Sequence, residues 1–162
     1  MFCQRSIKPY VSQQMLEIIY YSYFHSLISY GIMFCGHSTS SIRDFRLQKR
    51  IIRIMMGCRS RESCRKLFIK LKILPLPSVY ILSLLLFVIK NKELFTTHNA
   101  IQSICTRQHL NFHQPSANLT KYQTGVYYMG LKIFNILPAY VKQESDNPKK
   151  FESFLEKFLY EN

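Results

Sequence analysis

Arg43, Arg46, Arg50 and Arg53 are spaced 3, 4 and 3 residues apart. On a helix that spacing makes one stripe, and Lys49 falls beside it. Guanidinium groups are planar donor forks that match phosphate oxygens two at a time, so such a row suits a polyanionic backbone. Arg65, Lys66 and Lys70 add three cations on the outer side of the helix expected next. Residues 43–72 hold 11 basic and 2 acidic side chains, net +9 of the chain's +13. Residues 1–90 carry net +11 and residues 91–162 only +2. That field attracts phosphate polyanions or anionic lipid headgroups. A merely solvated helix face normally interleaves acids with its bases, and here only Asp44 and Glu62 do so. Arg43, Arg46, Lys49, Arg50, Arg53, Arg65, Lys66 and Lys70 are therefore the candidate contacts to RNA or DNA phosphates. A solvated surface and an anionic membrane surface stand as the alternatives.

Other chemistries find little material. Metal-assisted phosphoryl or nucleotidyl transfer needs carboxylates converging on divalent ions. The chain has two aspartates, Asp44 and Asp146, which lie 102 positions apart, and neither belongs to an acidic pair. Catalysis of that type by this chain is not expected. Cys105, His109 and His113 are spaced by four, but a fourth zinc ligand is missing and Pro115 follows closely. No metal or other cofactor is expected, and no Gly-rich phosphate loop, H-E-x-x-H or G-x-S-x-G occurs. Two helices joined by a turn at 57–60 invite a helix-turn-helix reading, yet nothing marks side chains that would read base edges. Backbone contact is the expectation.

The elements that must carry these residues read as mainly α, a bundle-like domain of about six helices. Ser12, after Pro9, starts a helix whose apolar positions run from Met15 to Ile28 and which ends at Gly31 or Gly36. Ser41 with Asp44 resembles a capping box and starts a helix that stops at Gly57. Leu47, Ile51 and Ile54 form its apolar stripe, widened by Phe45, Ile52, Met55 and Met56. A third helix over 61–71 places Cys64, Leu67, Phe68 and Leu71 on one face, and Pro75 and Pro77 stop it. Ser78 caps an apolar helix through Lys90 that calls for central burial. Residues 94–123 lack a period and read as irregular or short-β, with a hairpin around Thr106 to Thr120. Val126, Gly130, Ile133, Phe134 and Leu137 share a face of a helix over 125–137, ended by Pro138. Asn147-Pro148 opens an amphipathic closing helix over 148–160 that buries Phe151, Phe154, Leu155, Phe158 and Leu159.

A length of 162 residues fits one domain or one plus an appendage, at ~150 residues per domain. An apolar fraction of 48% excludes a disordered basic tail. Five cysteines without a C-x-x-C pair or a secretory signal point to a reducing, intracellular compartment, nuclear or cytoplasmic. Cys35 and Cys64 read as small buried hydrophobes. Ile18 to Cys35 holds no Lys, Arg, Asp or Glu, but its four tyrosines, three serines and His25 make it a buried helix rather than a span. Val79 to Ile89, 11 residues, falls short of the ~20 a span needs. No stable membrane insertion is expected.

Several strings, in order, carry a resemblance. They are Arg5-Ser6-Ile7-Lys8, Tyr20-Tyr21-Ser22-Tyr23-Phe24-His25-Ser26, Ser29-Tyr30-Gly31-Ile32, Phe45-Arg46-Leu47-Gln48-Lys49, Ile52-Arg53-Ile54, Ser63-Cys64-Arg65, Thr106-Arg107, Phe134-Asn135-Ile136-Leu137-Pro138 and Asn147-Pro148-Lys149-Lys150-Phe151. As a set they resemble the C-terminal region of non-LTR (LINE, jockey-like) retrotransposon reverse transcriptases, over nearly the whole chain. The resemblance implies a fragment of an RNA-directed DNA polymerase, opening at an internal Met1, with the catalytic domain upstream. It implies a thumb-side terminal helix over 1–36 and a helical C-terminal domain over 37–162. The missing polymerase domain becomes an implied partner, and no catalytic residue has a matching position. The alternative reading is a helical interaction module that docks on that domain through the aromatic first helix and the apolar helix 78–90. Cys35-Gly36 stands where the family usually has Trp-Gly, and Cys105 where it usually has Asn. These departures suit a decayed element with relaxed constraint on a packing site.

Overall fold

Ser12 accepts a hydrogen bond from the Met15 N–H at 3.4 Å and opens the first helix, as the sequence predicts. The computed structural model describes residues 10–97 and 110–161. These are mainly helical, as expected, and divide into two compact units, Met1–Val79 and Tyr80–Asn162.

In the first unit, α1 (Gln13–Ile19) runs through a π-helical turn, Tyr20–His25, into α2 (Ser26–Cys35), and Gly36 caps it. Then follow α3 (Thr39–Met56) and α4 (Arg65–Leu71). Their shared core holds Leu16, Tyr20, Ile51, Ile52, Met55, Cys64, Leu67, Phe68 and Ile73. Gly57 ends α3 in the left-handed conformation, φ 72°, which glycine adopts without a Cβ penalty.

Several expectations need correction. The helix expected from Ser41 begins earlier, with Ser38 as its cap residue, and the Ser41 hydroxyl donates back to the Ser38 carbonyl at 2.7 Å. Side-chain hydroxyls in that serine-rich run satisfy backbone groups locally, so the chain coils sooner. Residues 61–64 form a turn instead of the start of α4. Lys72, at φ 52°, stops α4 before either proline is reached. Ile73 and Leu74 are both buried, and that burial holds the lysine in an uncommon conformation. Cys64 is buried but Cys35 is exposed. The segment Ile18 to Cys35 is not a buried helix throughout, because Ile18, Tyr23, Leu27, Tyr30 and Phe34 all face solvent.

Helix α5 (Leu76–Lys90) begins before Ser78, and the boundary between the units falls within it. Leu84, Leu85 and Val88 have no exposed surface, which matches the expected central burial. Each such side chain contributes about 1.5–3 kcal/mol by leaving water. The second unit continues with a 3-10 turn, Lys92–Leu94, and then α6 (Thr120–Gln123), α7 (Val126–Ile136), α8 (Ala139–Gln143), a 3-10 turn (Glu144–Asp146) and α9 (Pro148–Glu161). The short helices α6 and α8 carry too few turns to show a period in the sequence. In α7 the fully buried residues include Leu131 beside Gly130 and Phe134, while Ile133 is only half-buried. In α9 Phe151 and Leu155 are fully buried and Phe154 is exposed.

The hairpin expected at 106–120 lies partly outside the described residues. What is described is a single antiparallel bridge between Thr97 and Phe112, with the His113 N–H donating to the Thr96 carbonyl at 2.8 Å. Asn135 clamps the same segment. Its Oδ1 accepts from the Phe112 N–H at 3.0 Å and its Nδ2 donates to the Phe112 carbonyl at 2.9 Å.

Candidate nucleic-acid interface

Helix α3 is amphipathic about an axis that the arginine spacing already suggests. Its buried residues are Gln48, Ile51, Ile52 and Met55, which recur at i, i+3, i+4 and i+7. At about 100° per residue, Arg43, Arg46, Arg50 and Arg53 centre on the opposite side of the helix. Arg43, Arg46 and Arg50 are exposed and Arg53 is half-buried. The core that fixes the helix therefore aims the guanidinium groups at solvent.

Arg53 and Lys49 are held in place. Arg53 Nε donates to the Glu62 carbonyl at 2.8 Å, tying the last turn of α3 to the turn that precedes α4. Lys49 Nζ lies 4.0 Å from the centre of the Phe45 ring, a cation–π contact that orders its long side chain. Phe45 in turn stacks on Phe68 of α4, with ring centres 6.4 Å apart. Arg65, Lys66 and Lys70 are exposed on α4, where Leu67 and Phe68 face the core. All eight candidates lie in the first unit, and α3 and α4 pack directly through Phe45 and Phe68.

The two acids interspersed among these cations leave the field nearly intact. Asp44 is exposed near the start of α3. Glu62 uses its carboxylate on the backbone, Oε2 accepting from the Arg59 N–H at 3.4 Å. Among the described residues neither Arg43 nor Arg46 has a carboxylate partner. A groove of about 720 Å³ opens elsewhere, at Gln14, Glu17, Ile18, Tyr21 and Ser22, and none of the eight cations lines it. The cations are strung along exposed helix faces, an arrangement that suits a long anion better than a small enclosed one.

Cys105 and His109 lie outside the described residues, and His113 is half-buried beside the Thr97–Phe112 bridge. No group of three metal-ligating side chains occurs among the described residues. No single described helix is long and apolar enough to cross a membrane; α4 and α5 reach that length and composition only together, as a bent pair.

The residue that the sequence reading missed is Gln48. It is almost wholly buried, and its amide makes three hydrogen bonds. Nε2 donates to the Tyr20 hydroxyl at 2.9 Å and to the Leu74 carbonyl at 3.0 Å, and Oε1 accepts from the Leu76 N–H at 2.8 Å. Its signal was present, because 48, 51, 52 and 55 share one phase. Leu47, placed in the apolar stripe instead, is exposed. Gln48, with Ile51, Ile52 and Met55, fixes the rotation of α3 and thereby the direction of the arginine stripe.

Comparison with protein-family models, with curated proteins and with solved structures finds no match to this chain.

Proposed function

We propose that α3 and α4 form a phosphate-binding surface for RNA or DNA. The reading includes the rest of the chain as a non-catalytic C-terminal region of a retrotransposon reverse transcriptase of the non-LTR type. The observation that carries the binding surface is the exposed row Arg43, Arg46 and Arg50, set opposite the buried row Gln48, Ile51, Ile52 and Met55. A helix locked by its core holds the backbone positions of these arginines at fixed spacing, so that only their side chains need ordering on an extended polyanion. The ordered strings from Arg5 to Phe151 support the family reading. In that reading the upstream polymerase domain is a further partner, and this surface holds template RNA or target DNA beside it.

Fluorescence anisotropy of the full chain with labelled single-stranded RNA, single-stranded DNA and duplex DNA tests the binding surface. The logarithm of the association constant is expected to fall with the logarithm of salt, by roughly 0.7–0.9 for each neutralised phosphate. Arg46→Glu with Arg50→Glu is expected to weaken binding and flatten that slope. Binding unchanged between low and moderate salt, or unchanged in the double variant, refutes the surface. Co-sedimentation with anionic vesicles but no affinity for nucleic acid assigns it to membranes. An acidic polymerase motif in frame upstream of Met1 tests the family reading separately.

A further inference from the structure

The helical segment from α1 to α2 carries one heptad-spaced stripe in sequence and two faces in space. Leu16, Tyr20, Tyr23, Leu27, Tyr30 and Phe34 follow one another at intervals of 4, 3, 4, 3 and 4. A regular α-helix places all six on one side. Here Leu16 and Tyr20 are buried, whereas Tyr23, Leu27, Tyr30 and Phe34 are 75, 71, 93 and 72% exposed. The π-helical turn at Tyr20–His25 causes the split, with the Ser26 N–H reaching back to the Tyr21 carbonyl. A π turn takes up about one extra residue and so rotates everything after it by about 100°. The inner face is instead supplied by Phe24, within the turn and packed on the core, and beyond the turn by buried Ile32.

We infer that the outward half of this stripe is a self-association seam whose occupant is the same segment of a second copy of the chain. Alternate steps of 3 and 4 are the spacing by which helix side chains enter the gaps of a facing helix, and the second copy supplies a helix with matching steps. From Ile18 to Cys35 there is no Lys, Arg, Asp or Glu. Two chains of net +13 can therefore meet on this face without opposing charges across it, and the face offers nothing to an ionic partner. The four side chains expose roughly 600 Å². Met15 and Ile18, both exposed, raise that to roughly 800 Å², the upper bound on what these side chains can bury and of the order that each side of a stable pair buries.

Sedimentation equilibrium of the nuclease-treated full chain, at about 0.5 M salt, tests this without nucleic acid. A dimer is expected, and Leu27→Glu with Tyr30→Glu is expected to give a monomer with unchanged far-ultraviolet circular dichroism. Leu27→Ala with Tyr30→Ala, which adds no charge, is expected to raise the dissociation constant at least tenfold. A monomeric wild-type chain at about 50 µM overturns the inference, including the case in which it then binds neutral phosphatidylcholine vesicles. A dimer that neither pair of substitutions weakens overturns it too. The outcome is independent of the phosphate-binding surface, because neither salt nor nucleic acid enters the readout.

Discussion

The side-chain amide of Gln48 reaches the Tyr20 hydroxyl at 2.9 Å, across 28 residues of chain, inside the first unit's core. That bond joins the π turn to the middle of the arginine-bearing helix. The same amide accepts the Leu76 N–H at the start of α5 and donates to the Leu74 carbonyl. One uncharged side chain thus fixes three segments.

Replacing it exposes the cost of buried polar groups without partners, about 1–3 kcal/mol each. Gln48→Leu keeps the volume but deprives the Leu74 carbonyl and the Leu76 N–H of this partner. The expected loss is about 2–4 kcal/mol, read as a lower urea midpoint. A midpoint within error of wild type contradicts the assignment.

Gly130 lets α7 approach α5. A Cβ built there lies 2.8 Å from Val88 Cγ2 and 3.5 Å from the Leu84 carbonyl oxygen. Val88 is fully buried, so it has little room to withdraw. Gly130→Ala is expected to destabilise by about 1–3 kcal/mol through overpacking, despite alanine's better helix propensity. Adding Val88→Ala should return part of that loss. A double-mutant cycle measures the recovery, and additive effects of the two substitutions count against the contact.

Lys142 is buried, with Nζ donating to Asn111 Oδ1 and to the Asn135 carbonyl, each at 2.7 Å. Burial lowers its pKa from the usual 10.5. Between the lowered value and 10.5 the unfolded chain binds more protons than the folded one, so stability rises with pH through that window. The penalty is fully present below it. Unfolding free energies of wild type and Lys142→Met, compared from pH 8 to pH 10.5, isolate this slope. Wild type should gain on the variant as pH rises, and parallel curves refute it.

His25 lies against the rings of Tyr20 and Tyr21, with centre-to-centre distances of 6.2 and 5.3 Å. Burial lowers its pKa below 6.5. The unfolded chain therefore takes up a proton before the folded one does, and stability falls as pH drops through that interval. Thermal unfolding at pH 7 and pH 5 is expected to show a larger decrease for wild type than for His25→Phe. An equal decrease in both overturns the assignment.

What the sequence made legible was what local chemistry decides. Ser12 caps a helix, Gly57 ends one in a conformation that suits glycine, and Pro148 occupies a first turn where its missing N–H costs little. The arginine stripe was legible for the same reason, since spacing alone defines a helix face. Lys72 and Gln48 escaped because tertiary demands decide them. Lys72 turns left-handed to bury Ile73 and Leu74, and Gln48 sits in the core because three distant groups need its amide. The exposure of Leu27 and Tyr30 was hidden by the π turn, which breaks the period on which a helical reading depends.

That turn also has a hereditary side. It takes up about one residue beyond what a regular helix would need over the same span. In genetic terms that is a single in-frame codon between positions 20 and 25. Losing it lets the helix close without the turn while Leu27, Tyr30 and Phe34 keep their outward face, because the turn is what takes up that residue. The chain can thus lose one residue there without re-aiming the apolar surface beyond it, a tolerance that a regular helix, rotated about 100° by the same change, lacks.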